Sequence, residues 1–544
     1  HHEAFSKISE NKNFNHRYLS NYFSALLSYD NFRNKEALKY FNSSKQLLNN
    51  HEKFLKEYVF SLVEDGQVSK AIKQIKFANK KNSNFFEASL LIAIDSIEKN
   101  NFSRGLENIY QMEKFQDNGT YEYIIYETLK NYNKLFLGEE INEKSNKFGK
   151  LSLITIAFQN CYLNNNKADT YFNDLINSPG GEYSRYLFFY LSDIIDKKNY
   201  KKAKNITSEI DPLSSSLIVS QAKNWIDQSE YENFNNFFSC KSETDILAEF
   251  FFLVANLYSS EENYSKSNFY LNISNYLNPK FYFNLSLLAE NYFLNKNYDL
   301  TKNVLKKFNF KNEIYGWYKI KRIAQIIEKE QDKKASLLYI EKNFEKINKP
   351  STKIFFDMAT IYKNNKKYNK SIEYYNRVLS KLSKESQSYA DTLYRRGGCY
   401  ERMGNYEMSD NDLLNSLKIN PNDPYVLNYL AYSWLERNYK IDEAMEMLKK
   451  AYKQKKNDPY IIDSIGWGYY LIGDYIKAED YLIQAVVLMP DDPIVNDHYG
   501  DILWKLNRKL QAKYFWENVL KLETTEEEMK KNILEKLIKG PDKI

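Results

Sequence analysis

Three phrases near the C-terminal end limit what this chain can fold into: "NPNDPYVLNYLAYSW", "KNDPYIIDSIGWGYY" and "MPDDPIVNDHYGDILW". Their Asp-Pro pairs stand at 423–424, 458–459 and 492–493, spaced 35 and 34 residues. Each pair marks a helix start. The aspartate caps free backbone N–H groups, and proline suits the first turn because its missing N–H has no intrahelical partner there. A phrase recurring at this interval signals a repeated unit that buries its apolar face by stacking on its neighbours.

Small residues recur in phase with the Asp-Pro pairs. Ala431, Gly466 and Gly500 fall in the middle of the first helix of each unit, and Ala444, Ala478 and Ala512 follow in the second. Leu448, Leu482 and Trp516 come next, then Ala451, Ala485 and Val519, and Pro421 and Pro490 close units. The spacing predicts two antiparallel helices touching at the small positions, with the large residue filling the groove beside them. This pattern resembles the tetratricopeptide repeat (TPR), a helix–turn–helix of about 34 residues. The fold it implies is all-α, a right-handed α-solenoid.

The period continues towards the N-terminus. Gly397, Tyr400, Ser409, Leu413 and Ser416 hold the same places one unit earlier, and Ala359, Tyr362, Ser371 and Tyr375 the unit before. Weaker units follow Ala289, Ala255, Ala222 with Trp225, and Leu191 with Ala203. At the start, the first small-residue positions are 25, 59 and 93, again 34 apart. Between 115 and 180 the pattern blurs at "LGEEINEKSNKFGK" and "NSPGGEYS". The expectation is about fourteen units, some degenerate: repeats over 1–114, an irregular region over 115–180, divergent repeats over 181–350 and well-formed ones over 351–522. The tail at 523–544, "TTEEEMKKNILEKLIKG" within it, has apolar residues at helical spacing and reads as a capping helix.

Composition agrees and excludes several classes. Only 16 Gly and 10 Pro occur in 544 residues, which favours long helices with short turns over sheets. Lys and Arg total 77 against 71 Asp and Glu, and no basic stripe is present, so no nucleic-acid partner is expected. No apolar run reaches membrane-spanning length. Cys161, Cys240 and Cys399 are far apart and form no CxxC, which argues against a zinc site or a disulfide framework. The chain opens His-His-Glu, so any signal peptide or lipid anchor lies before His1.

Two stretches invite a catalytic reading. Asp497, His498 and Asp501 lie within one helical turn, with His498 and Asp501 at i, i+3. They are the weak candidates for a metal or acid–base site, and Asp463 of the preceding unit is the nearest further ligand. No second histidine is available in this half of the chain to complete a two-His zinc site. "DSIGWGYY" holds two glycines, but a phosphate-binding loop needs a preceding strand and a longer glycine pattern. Gly466 is assigned to helix packing, whereas Gly468 has no packing role legible in the sequence, and neither has His498. No cofactor is expected.

In TPR proteins the first helix of each repeat lines the inner face three residues before, and one and four after, the small residue. Here those positions are Asn428, Tyr432 and Leu435, then Asp463, Trp467 and Tyr470, then Asp497, Asp501 and Trp504. Aromatics with a few oriented polar groups suit protein interfaces. The carboxylate clamps of chaperone-tail TPR domains need Lys and Asn at these places, so a ligand with positive charge fits better.

The succession from "NYLAYSWLERN" to "AKYFWENVL", about residues 420–520, resembles a group of large proteobacterial TPR proteins. That group includes outer-membrane lipoproteins that serve as adaptors of periplasmic carboxyl-terminal processing proteases. Asn507 stands where the group usually has Gly. The resemblance implies a non-enzymatic scaffold that binds other proteins or peptides and assembles a protease or presents its substrates. It implies a periplasmic or outer-membrane location, with membrane attachment only through a lipid anchor upstream. The competing readings are a metal-binding or hydrolytic protein using Asp497, His498 and Asp501, and a cytoplasmic TPR assembly factor.

Overall fold

A computed structural model describes residues 16–117, 119–141, 147–178 and 184–541. Among the described residues are thirty α-helices and no β-strand. The chain divides into two compact units, residues 1–351 and 352–544.

In the first unit α1 (His16–Asp30) pairs with α2 (Asn34–Ser43), α3 (Phe54–Glu64) with α4 (Val68–Phe77), and α5 (Phe86–Glu98) with α6 (Phe102–Tyr110). A lone helix, α7 (Tyr121–Phe136), follows. Pairing resumes with α8 (Lys150–Tyr162) and α9 (Ala168–Ile176), α10 (Tyr186–Asp196) and α11 (Tyr200–Ser208), and α12 (Leu217–Asp227) and α13 (Glu232–Phe237). The unit ends with α14 (Glu243–Ser260) and α15 (Tyr264–Leu277), α16 (Leu285–Leu294) and α17 (Tyr298–Leu305), and α18 (Glu313–Glu330) and α19 (Lys333–Phe344).

The second unit stacks α20 (Thr352–Asn364) with α21 (Tyr368–Leu379), α22 (Gln387–Arg402) with α23 (Tyr406–Ile419), and α24 (Pro424–Glu436) with α25 (Ile441–Gln454). Then come α26 (Pro459–Leu471) with α27 (Tyr475–Leu488), α28 (Pro493–Lys505) with α29 (Lys509–Lys521), and a final helix α30 (Glu527–Lys539). The count is fourteen hairpins plus α7 and α30, as the repeat spacing predicts. The two phrases that blur the pattern, at 137–150 and 177–184, lie partly outside the described residues.

The local rules operate as the sequence implies. Asp423, Asp458 and Asp492 each accept two backbone N–H bonds at the start of α24, α26 and α28, with proline in the first turn. Gly466 lies against Leu482 so closely that a Cβ would come 2.8 Å from its Cγ, and Gly397 stands in the same relation to Leu413 at 3.1 Å. Ala431, Ala444, Ala478 and Ala512 are completely buried. Gly468, unexplained in the sequence, marks a second close approach: its Cβ would come 2.6 Å from Met445 Sδ of the preceding repeat.

The turn inside most hairpins contains one residue in the left-handed region. In the second unit it is Lys366, Gly404, Asn438, Gly473 and Asn507, with Lys440 as a second such residue in the α24–α25 turn. This explains why Asn507 replaces glycine: asparagine tolerates φ of 65° better than other side chains.

Two features correct the sequence reading. First, the hairpins of the first unit do not touch only their neighbours. α15 packs on α3, with the rings of Phe60 and Phe269 4.7 Å apart and Asn272 donating to the Glu64 carbonyl at 3.2 Å. α7 meets the α14–α15 hairpin through Tyr121 against Tyr258 and through the Lys266–Glu122 ion pair. Second, Cys161 and Cys240 form a disulfide, with Cα atoms 5.9 Å apart across 79 residues of sequence. Stacking brings the end of α8 and the segment before α14 together, and no spacing rule in the sequence reports that. Cys399 is free and buried.

Closing a loop of this length stabilises a fold by about 2–4 kcal/mol, mainly by restricting the unfolded chain. Cys161→Ala is therefore expected to lower the stability of the first unit by that amount while leaving the second unit unchanged. Urea unfolding followed by proteolysis or hydrogen exchange reads the two units separately. Equal stability of the variant and the oxidised parent would rule the bond out.

Candidate protein-binding face

The first helices of three successive repeats, α24, α26 and α28, bring the predicted inner-face residues together. Asp463, Trp467, Tyr470 and Asp501 are buried there, as is Leu435, while Asn428, Tyr432, Asp497 and Trp504 are half-buried. The stretch Asp497–His498–Asp501 does not act as one cluster. His498 turns to the preceding repeat: its Nδ1 lies 3.0 Å from both carboxylate oxygens of Asp463. Its ring stacks on Trp467 at 4.0 Å between centroids, and Trp467 stacks on Tyr470 at 4.6 Å. The Trp467 indole N–H donates to Glu436. Packing therefore does explain His498, because it is the link between two repeats.

Asp497 and Asp501, four residues apart, face the other way and grip one ammonium group. Lys536 of α30 lies 2.7 Å from Asp497 Oδ1 and 2.9 Å from both oxygens of Asp501. The weak metal candidates His498 and Asp501 turn to different partners, His498 to Asp463 and Asp501 to Lys536, which stands between the two aspartates. Among the described residues the one group of three with metal-ligand spacing is Cys161, Asp193 and Cys240, in which the two sulfurs are bonded to each other.

The wall beside the clamp is aromatic. Trp504 packs on Trp516, and the Gly540 backbone lies so close to the Trp504 indole that a Cβ would come within 2.5 Å of it. At the opposite edge Tyr429 donates to Glu401 at 2.9 Å. Glu436, Lys536, Gly540 and the Tyr429–Glu401 pair were not legible as site residues. For Lys536 the available signal was charge: it is one of four lysines, with Lys530, Lys531 and Lys539, on an amphipathic helix that follows an acidic repeat.

Burial disfavours the charged form of His498, but Asp463 outweighs it, with Asp497 and Asp501 adding, so the imidazole pKa is raised above its usual value. Burial, and then the neighbouring Asp497, push Asp501 up to about 6 against the pull of Lys536. Burial opposes the Lys536 charge too, and Asp497 and Asp501 outweigh it, raising its pKa.

A model of the tetratricopeptide repeat family matches residues 352–380 and 390–423. Those two stretches are tetratricopeptide repeats. Those repeats are α20–α21 and α22–α23, and the hairpins that follow keep their spacing and contacts. The TPR repeat-containing protein PA4667 of Pseudomonas aeruginosa is 34% identical over 109 residues, a match that spans 20% of this chain and 18% of that protein. Among solved structures, a tetratricopeptide repeat protein of Parabacteroides merdae aligns at 16% identity over 46% of this chain and 97% of its own, with a TM-score of 0.39. A thermophilic TPR protein of Thermus thermophilus aligns at 17% identity over 35% of this chain and 100% of its own, with a TM-score of 0.31.

A raised histidine pKa stabilises the folded state below the unfolded value and is lost as pH rises through the folded value. The second unit is therefore expected to lose stability from about pH 6.5 upward, using the model-peptide histidine value. His498→Gln should flatten that part of the profile. Urea midpoints at a series of pH values measure it, and an unchanged slope in the variant would refute the assignment to His498.

Proposed function

We propose that this protein is a non-enzymatic TPR scaffold that binds other proteins along the inner face of its second unit. We further propose that it works in the cell envelope, assembling a carboxyl-terminal processing protease or presenting substrates to it. The observation carrying the scaffold reading is the continuous face that three successive repeats build from aromatic and acidic side chains. Stacked repeats create extended concave surfaces suited to partner proteins. The envelope assignment draws support from the Cys161–Cys240 disulfide, since such bonds persist in oxidising compartments. A cytoplasmic assembly factor would instead have to keep both cysteines as thiols.

Tyr432 and Glu436 are accessible members of the face outside the Asp497–Asp501 clamp, half-buried and exposed respectively. Their replacement by alanine should leave the fold intact and reduce partner recovery at least tenfold. The measurement is affinity capture with crosslinking from the native envelope fraction, comparing wild type with the double variant. Identical recoveries, or no specific protein recovered by either, would sink the scaffold reading. A partner set without an envelope protease would remove only the finer assignment.

A further inference from the structure

The Asp497–Asp501 clamp is already filled, and its occupant belongs to the least anchored helix of the unit. Of α30, only Ile533 is fully buried, whereas α28 buries eight residues. Leu534 and Ile538 of α30 are 51% and 86% exposed. At its start, Glu526 pairs with Lys366 in the open, with both side chains about two-thirds exposed. Such a pair adds little. The helix is held by Ile533 with the partly buried Met529 and Leu537, by the Lys536 ion pairs and by Gly540 against Trp504.

The site beneath is built for more than a surface ion pair. Asp501 is 3% exposed, and a buried carboxylate without a cation is costly. The hydroxyl of Tyr470, a residue only 2% exposed, has no hydrogen-bond partner among the described residues. The charges of Asp501 and Asp497 both act on it. A buried donor beside the clamp is thus left unused while Lys536 occupies it. Trp504 supplies an apolar wall alongside, and Lys509 lies over its ring at 5.1 Å.

We propose that Asp497, Asp501, Tyr470 and Trp504 form a lysine-recognition site. Lys536 fills it as a tethered stand-in, and a protein partner binds by presenting a lysine from an amphipathic helix in its place. The occupant already shows the chemistry: a lysine on a helix, with an apolar residue three positions earlier buried beside it. Ile533, Met529 and Leu537 of α30 pack on the hydrophobic cluster of the last two repeats, so displacement uncovers the clamp together with that end of the core, and the apolar side of a partner's amphipathic helix has to cover both. Negative charge at the clamp selects cationic partners and excludes acidic ones. This inference rests on the scaffold reading for its biological meaning, but its chemistry can be tested without any native partner.

The probe is a fluorescent peptide of residues 524–541, added in trans to the full-length chain and followed by anisotropy. The Lys536→Met chain, which keeps the aliphatic stem, should bind the peptide at least tenfold more tightly than wild type. Adding Asp497→Asn and Asp501→Asn to that chain should abolish the gain, and a peptide with its own Lys536→Met should not bind. Equal binding by wild type and Lys536→Met, or binding that survives loss of both aspartates, overturns the proposal. Hydrogen exchange on the unaltered protein tests it with no variant at all: α30 amides should exchange at least tenfold faster than those of α28. Equal protection of the two helices also overturns it. Envelope capture can fail while the peptide assay succeeds, so the two claims fall separately.

Discussion

Everything in the second unit depends on how closely two helices can approach inside one hairpin. At Gly397, Gly466 and Gly500 the partner helix places Leu413, Leu482 and Trp516 where a Cβ would stand. Glycine within a helix costs about 1 kcal/mol relative to alanine. An overpacked contact costs about 1–3 kcal/mol, so the glycine is the better choice. That approach sets the hairpin, the hairpin sets the stacking, and the stacking decides which side chains reach the inner face. Gly468 repeats the device between neighbouring hairpins.

Once the first helices are in register, the inner face becomes an electrostatic layer. His498 joins two repeats through Asp463 and Trp467, and Glu436 extends the chain of contacts. Asp497 and Asp501 would leave a surplus of buried negative charge, and Lys536 compensates for it. The same acidity that makes the face selective thus requires a cation to be present. A C-terminal helix that brings one can cap the last repeat and occupy the site at once.

The sequence made local features legible and non-local ones not. Asp-Pro caps, small-residue positions and the hairpin count follow from rules that act within about 35 residues, and each is in place. The turn residues escaped notice because Lys366, Asn438 and Asn507 share a backbone conformation with Gly404 and Gly473 but not a side-chain type. The contact of Phe60 with Phe269 and the bond of Cys161 to Cys240 join distant segments, and no period announces them. The site was half legible. Counting three, one and four from the small residue named side chains that lie on three successive first helices. Adjacency along one helix, however, grouped Asp497 with His498, although neighbouring positions on a helix point to different faces.

The claim that most needs direct measurement is that Asp501 and Lys536 hold each other inside the second unit. A double-mutant cycle of Asp501→Asn and Lys536→Met, read by urea unfolding at pH 7.5, isolates their coupling. The structure predicts a coupling of about 0.5–3 kcal/mol, the range for residues in contact or in one salt-bridge network. A coupling within about 0.3 kcal/mol of zero, the level expected of independent sites, would contradict the account.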